Sequence, residues 1–311
     1  MPPWSERELA MALRFGGITL ARVRYRAVVV TTDFLSAPAQ VPPPPLEALR
    51  QSGCRAAYLP SLPVPGPLPV LKRLPGFLRY APRQYQRYYV DLRGGFPDYL
   101  AAMGSKSRGT LQRKVRKLMQ AQGGALDLVV CRDGGNAEEF FYLASQVSAK
   151  TYQERLLGTG LPQGEAFRRQ FLERAARGAM RGYVLRLDGQ PAAYIYGEVE
   201  DGVLAYDYVG YDPAFKQASP GIVLQYLALE DLFGDPAVRV FDFTEGEGQH
   251  KQTFATASRA CADIFFFKSH ADLALLVATH HGLARLWRAL SALAEKLGLK
   301  KALKARLHGR G

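Results

Sequence analysis

The chain reads as an α+β protein built on a mixed, mostly antiparallel central sheet flanked by helices. Three observations predict this. Asp188–Gly189 and Asp201–Gly202 each separate alternating apolar runs, the mark of tight β-hairpin turns. Segments with helical spacing of apolar residues precede these strands and follow them. The stretch from Val203 to Lys251 reads strand, turn, helix, strand and Gly-rich loop. Helices interleaved with an antiparallel meander place the layers on one sheet.

Residues 1–14 are expected to form a short amphipathic helix, with Ser5 and Glu8 spaced as a capping box. ITLARVRYRAVVVTTDF is a strand in which Arg22, Arg24 and Arg26 alternate and so share a face. That face is either solvated or meets an anionic ligand. From Pro38 to Pro82 the chain is proline-rich, including Pro42 to Pro45, and is expected to be irregular with short extended pieces. One strand is expected in CRAAYLPSLPV. YYVDLRGGFPDYLAAM predicts a strand, a turn and a helix begun at Pro97.

SKSRGTLQRKVRKLMQAQGG predicts a helix capped by Ser107 or Thr110 and closed by Gly123–Gly124. Leu111, Val115 and Leu118 recur at spacings of four and three, so one side is buried. Arg113, Lys114, Arg116 and Lys117 occupy the other side, with Lys106 and Arg108 just before. This face is either solvated or binds phosphates of a nucleotide, a tRNA or a glycan-lipid pyrophosphate. ALDLVVCRD is a strand, and NAEEFFYLASQVSAKTYQ and GEAFRRQFLERAARGAM are helices. YVLRLDGQ, PAAYIYGEVEDG and VLAYDYVGYDP are three strands, IVLQYLALEDLFG is a helix, and VRVFDF and DIFFFKS are strands. From Ala271 the chain is helical, with a stripe of Leu286, Leu290, Leu293 and Leu297 beside Trp287. Arg285, Arg288, Lys296, Lys300, Lys301, Lys304 and Arg306 supply its charge. Such a tail either docks on the domain or lies on an anionic membrane.

Charge is unevenly placed along the 311 residues, whose net charge is +13. Residues 1–125 carry net +13, residues 126–270 net −6, and residues 271–311 net +6. An acidic middle between basic flanks argues against a DNA-binding surface. It suits basic arms that meet phosphates or lipid headgroups. Cys54, Cys131 and Cys261 are odd in number and far apart. Neither a disulfide framework nor a metal site is expected, and a cytoplasmic location fits. No signal peptide or membrane-spanning run is expected either.

Four regions are expected: an N-terminal region over 1–104, a basic connecting helix over 105–124, a domain over 125–270, and a basic helical tail over 271–311. The chemistry centres on AFKQASPGIVLQYL. A helix beginning at Pro220, with Ser219 as N-cap, presents unpaired N–H groups and a partial positive charge to phosphate oxygens. Asp207 shares strand parity with Val209 and Tyr211, which makes it a candidate base; Tyr206 and Tyr208 take the other face. Asp242 ends the next strand, with Glu245 and Glu247 in the loop after it, and these carboxylates suit acid–base work or recognition of an ammonium group. Lys251 near a helix start favours a bound anion or an electrophilic role. His250 precedes it and, with Arg113, Lys114 and Lys117, is a candidate substrate or phosphate ligand.

The ordered ensemble over residues 88–268 resembles the GNAT acyltransferase superfamily, and more narrowly its CelD-like and FemAB-like branch. The basic helix SRGTLQRKVRKLMQAQGG, the Tyr- and Asp-rich strand, the Ser-Pro-Gly turn and FDFTEGEGQHKQTFA carry the resemblance. Residues 1–104 resemble a degenerate N-terminal half of that family. The resemblance implies acyl transfer from acyl-coenzyme A, usually acetyl-coenzyme A, to an amine or hydroxyl of a sugar, polysaccharide or peptidoglycan-type precursor. It places Val209, Gly210 and Tyr211 against the pantetheine arm. Gln217, Ala218, Ser219, Pro220, Gly221 and Ile222 then form the pyrophosphate turn. Where the family pattern has glycines, this chain has Pro220 and Ile222. That departure leaves open an aminoacyl-tRNA donor, as in FemAB-like enzymes, or a catalytically degenerate module in exopolysaccharide biosynthesis. Peripheral attachment to the inner face of a membrane through the tail is a further expectation.

Overall fold

The computed structural model describes residues 4–151, 160–246 and 248–296. In chain order the elements are β1 (Trp4–Phe15), β2 (Ile18–Val30), α1 (Leu46–Gln51), β3 (Ala56–Pro63), β4 (Leu71–Leu74) and β5 (Phe77–Asp91). Then come α2 (Phe96–Ala102), α3 (Ser105–Ala121), β6 (Asp127–Cys131), α4 (Ala137–Lys150), α5 (Glu165–Ala176), β7 (Met180–Leu187) and β8 (Gln190–Glu200). They are followed by β9 (Val203–Ala205), β10 (Tyr208–Tyr211), α6 (Pro220–Leu232), β11 (Val240–Asp242), α7 (Gln249–Phe254), β12 (Ala257–Lys268) and α8 (Ala271–Lys296). The chain divides into two compact units, Met1–Tyr85 with Arg259–Gly311, and Gln86–Ser258.

In the first unit β1 and β2 form a long antiparallel hairpin, from Trp4 opposite Val30 to Phe15 opposite Ile18. The helix expected over residues 1–14 is therefore, in its described part from Trp4 on, a strand. Pairing with the β-branched run of β2 outweighs a local capping pattern, and Ser5 lies opposite Val29 in the ladder. β2 runs parallel to β3, and β3 is antiparallel to β12. The proline-rich stretch is more ordered than its composition suggests, since it holds α1, β3, β4 and the start of β5. The tail helix α8 packs its first turns inward through Leu273, Leu276 and Val277. Tyr80 and His280 Nδ1 share a hydrogen bond of 2.6 Å. Trp287 meets Phe15 edge-on at 5.3 Å. Leu297, Lys300, Lys301, Lys304 and Arg306 lie outside the described residues.

The second unit carries a mixed, mostly antiparallel sheet between helical layers. β6, β7 and β8 form an antiparallel meander, and β10 pairs with β8. β9 is antiparallel to β8 and parallel to β11, and the end of β5 is antiparallel to β11. Both Asp-Gly turns have positive φ at their two central residues, the geometry that matches strand twist. On one face lie α2, α3 and α6, contributing Tyr99, Leu111, Val115, Leu118, Val223, Leu224 and Ala228 to a core with Phe241 and Phe243. On the other lie α4 and α5, with Phe140, Phe141, Val147 and Phe171 against Tyr194 and Tyr196. Burying each large apolar side chain contributes about 1.5–3 kcal/mol. α3 begins at Ser105, two residues before the expected cap, and ends in Gly123 and Gly124 at positive φ. Among the described residues, no helix is long and apolar enough to cross a membrane.

Candidate functional site

The site is organised by a break in one strand. β9 pairs with β11 as far as Ala205 opposite Asp242, and Tyr206 N–H still donates to Asp242 O at 2.9 Å. From Tyr208 onward the chain pairs with β8 alone, Tyr208 opposite Tyr196 through Tyr211 opposite Ala193. The strand expected as one continuous piece is therefore two, and its second half departs from β11. Side-chain parity changes across the break: Tyr206 and Val209 pack on the α6 side of the sheet, whereas Tyr208 packs with Tyr196 and Phe167 on the other. Gly210 belongs to the same crossing, because a Cβ there would lie 2.5 Å from Thr151 Cγ2 and 2.9 Å from Tyr194 Cε1.

The divergence opens a cleft of about 470 Å³. β10 supplies one wall with Val209, Gly210 and Tyr211, and the start of α6 supplies another with Ser219, Pro220, Gly221 and Ile222. Tyr206, Gln225, Phe254 and His250 line it further along, and Lys216 stands at the α6 end. Of the residues expected at a donor site, Val209, Gly210, Tyr211, Ser219, Gly221 and Ile222 meet here, and His250, a candidate substrate or phosphate ligand, joins them. Gln217 and Ala218 belong to the turn that enters α6 and are not part of the lining.

α6 begins at Pro220, as the missing N–H of proline favours. Ser219 does not cap it with its side chain. It takes a left-handed conformation at φ 54°, and its carbonyl accepts the N–H groups of Ile222 and Val223 at 3.1 and 3.2 Å. Its hydroxyl instead accepts from Lys114 Nζ at 3.2 Å. Pro220 offers no N–H, so the first turn presents fewer backbone donors than a glycine-rich turn would. Two cationic side chains, Lys114 from α3 and Lys216, stand at this end. Arg113 and Lys117 are exposed on α3.

Asp207, read as facing with Val209, lies on the opposite side of the break. Its carboxylate accepts the Glu198 N–H at 3.1 Å. Desolvation by the surrounding protein pushes its pKa up to about 6, against the Glu198 N–H and with the charges of Glu198 and Asp242 adding to the rise. Asp242 is fully buried and gripped by Arg87, whose Nε donates at 3.0 and 3.1 Å to the two carboxylate oxygens. Asp242 Oδ1 also accepts the Thr244 N–H at 2.9 Å. Lys251 turns its ammonium onto the Phe243 and Glu245 carbonyls, both at 2.7 Å, and desolvation lowers its pKa. It holds the loop after β11. The Glu245 carboxylate is at the surface, and Glu247 lies outside the described residues.

His250 flanks Tyr206 and Phe243, with ring centroids 6.5 and 6.4 Å apart. Desolvation, and then the charge of Lys251, lower its pKa. A neutral imidazole therefore borders the cleft at pH 7. The residues that pattern reading missed are Tyr206, Lys216 and Gln225. Gln225 is a polar residue within an otherwise apolar helical run, and that mismatch was its one visible signal.

Strands that separate around a cleft, with a helix N-terminus at its mouth, give a site open to an extended, anion-bearing ligand. The family follows from sequence, since residues 105–252 match the family model described as Acetyltransferase (GNAT) domain. These residues are a GNAT acyltransferase domain, and the protein is an enzyme of that transferase type. No match was found among curated proteins. Among solved structures, the chain is similar to the C-terminal domain of a putative lysylphosphatidylglycerol synthetase from Agrobacterium fabrum. There the identity is 14%, the coverage 89% of each chain and the TM-score 0.50. It is also similar to FemX, with 12% identity over 88% of this chain and 90% of that one, and a TM-score of 0.51. At such identities the likeness is one of fold.

Proposed function

We propose that the protein transfers an acyl group from acyl-coenzyme A to an amine or hydroxyl of a sugar, polysaccharide or peptidoglycan-type precursor. The divergence of β10 from β11 carries this reading. It leaves one edge of β10 without a strand partner among the described residues, and an extended donor arm carrying amides can pair with such an edge. The phosphates of the donor then fall at the start of α6, beside Lys114, Ser219 and Lys216. With an amine acceptor, its nitrogen attacks the thioester carbon. The N–C bond forms, the C–S bond breaks, His250 takes the amine proton, and that proton is then passed to the departing thiolate. Partial desolvation keeps His250 neutral and able to accept that proton.

One observation favours a second donor. Pro220 and Ile222 narrow the backbone nest for a pyrophosphate, while α3 exposes Arg113, Arg116 and Lys117 to a larger anion. An aminoacyl-tRNA would use both features. A thermal-shift panel of acyl-coenzyme A species tests the leading reading, with acetyl-coenzyme A expected to raise Tm by mass action. A flat panel together with salt-dependent binding of charged tRNA moves the donor to the second reading. Binding of neither overturns both, and leaves a degenerate module.

The proposed setting is the cytoplasmic face of an anionic membrane. In the first unit, Ile18 and Leu20 at the hairpin tip are 67% and 59% exposed. Trp287, packed on Phe15 beside that tip, is exposed along with Leu286, Leu290 and Leu293 of α8. Arg14, Arg22, Arg285 and Arg288 are exposed on the same elements. Apolar tips with arginines around them suit the headgroup region.

A further inference from the structure

Gln225 stands in the wall of the cleft on α6, 2% exposed. Neither its Oε1 nor its Nε2 has a hydrogen-bond partner among the described residues. Around it the lining is apolar, with Ile195, Ile222, Leu224 and Phe254. A buried carboxamide with both ends unpaired lowers stability relative to an apolar side chain of the same shape. The residue is therefore unexplained by folding and is placed where a ligand would pass.

We propose that Gln225 reads the donor, by pairing reciprocally with an N–H and a C=O carried side by side on its arm. A carboxamide offers one donor edge and one acceptor edge, so its complement is a group with both. The position along the helix fits. Gln225 is five residues beyond Pro220, roughly 7.5 Å along the axis from the end that would hold phosphate. A phosphopantetheine arm carries two successive secondary amides near that distance from its phosphates, and the N–H of one and the C=O of the next can face the same side. The aminoacyl ester of a charged tRNA carries an amino group and a carbonyl near its last phosphate. The shared chemistry is the adjacent N–H and C=O. This inference rests on the reading of the cleft as a donor site.

The test compares wild-type protein and Gln225→Met by calorimetry, with coenzyme A, with 3′,5′-ADP, and with charged and uncharged tRNA. 3′,5′-ADP keeps phosphates and lacks the arm; uncharged tRNA lacks the aminoacyl group. Urea unfolding is expected to show the free variant folded and at least as stable as wild type. Affinity for the arm-bearing ligand that wild type prefers, coenzyme A or charged tRNA, is expected to fall at least tenfold. Affinity for its arm-less counterpart is expected to hold within twofold. Equal loss for both counterparts, or loss for neither, overturns the role of Gln225 while the donor site stands. Absence of binding to all four by wild-type protein overturns the donor site and the inference together.

Discussion

The Lys114 ammonium donates to the Ser219 hydroxyl over 3.2 Å, which puts a cation at the positive end of α6. A helix dipole disfavours that arrangement by about 0.3–1 kcal/mol unless an anion joins it. Lys114→Ala is expected to leave Tm within a degree or two of wild type and to weaken donor binding about tenfold. Calorimetry at two ionic strengths checks it, because the variant should also show a flatter dependence on salt. Unchanged affinity would separate Lys114 from the donor.

If His250 is the base, kcat/KM rises with pH through a pKa below the usual histidine value and is level by about pH 7. Protonation at lower pH removes the acceptor lone pair, so the loss is on the acid side. His250→Ala is expected to lower kcat about 10²- to 10⁴-fold with a smaller change in KM for the donor. A pH–rate profile that keeps its acid limb in the variant would assign the base elsewhere.

Arg87 and Asp242 form an ion pair in which the carboxylate is fully buried. Removing one partner strands the other. Arg87→Met is expected to lower unfolding free energy by about 3–5 kcal/mol, read by urea denaturation. A loss below about 1 kcal/mol would show that water reaches the carboxylate.

The raised pKa of Asp207, about 6, is a statement about stability. Between roughly pH 4 and pH 6 the folded protein binds more protons than the unfolded chain. Stability contributed by the protonated form is therefore lost as pH rises through that window. Asp207→Asn is expected to raise Tm slightly at pH 7 and to flatten the dependence of Tm on pH from 4 to 7. A steeper dependence in the variant would contradict the shift.

The membrane setting predicts that the protein cosediments with phosphatidylglycerol vesicles and not with phosphatidylcholine vesicles. Ile18→Glu combined with Leu20→Glu should reduce the bound fraction several-fold while leaving Tm near wild type, since both side chains are exposed. Equal binding by the double variant would clear the hairpin tip of that role.

Much of the second unit was legible, because its signals are local. The Asp-Gly turns, the Pro220 start and the Gly123–Gly124 stop each require particular φ values or a missing N–H. The first unit was harder to read. A capping spacing at Ser5 and Glu8 suggested a helix, but nothing local could show that Trp4–Phe15 would find Ile18–Val30 as a partner. The site was legible as a stretch and misread in its facing. Alternation placed Asp207 with Val209, and only the departure of β10 from β11 shows that Tyr206 and Val209 share the cleft instead. The Lys251 carbonyl contacts and the Arg87–Asp242 pair join residues 6 to 155 positions apart, beyond what spacing can reveal.

The break at Tyr206–Asp207 makes the enzyme more sensitive to chain length than to side-chain identity at this point. A strand alternates faces residue by residue, so losing Tyr206 or Asp207 would leave β10 able to pair with β8 but turned over. Tyr208 would then exchange sides with Val209, and the phenol would occupy the wall that now is aliphatic. Substitutions along this segment should be graded in effect. A single-residue deletion should abolish transfer outright in a protein that still folds.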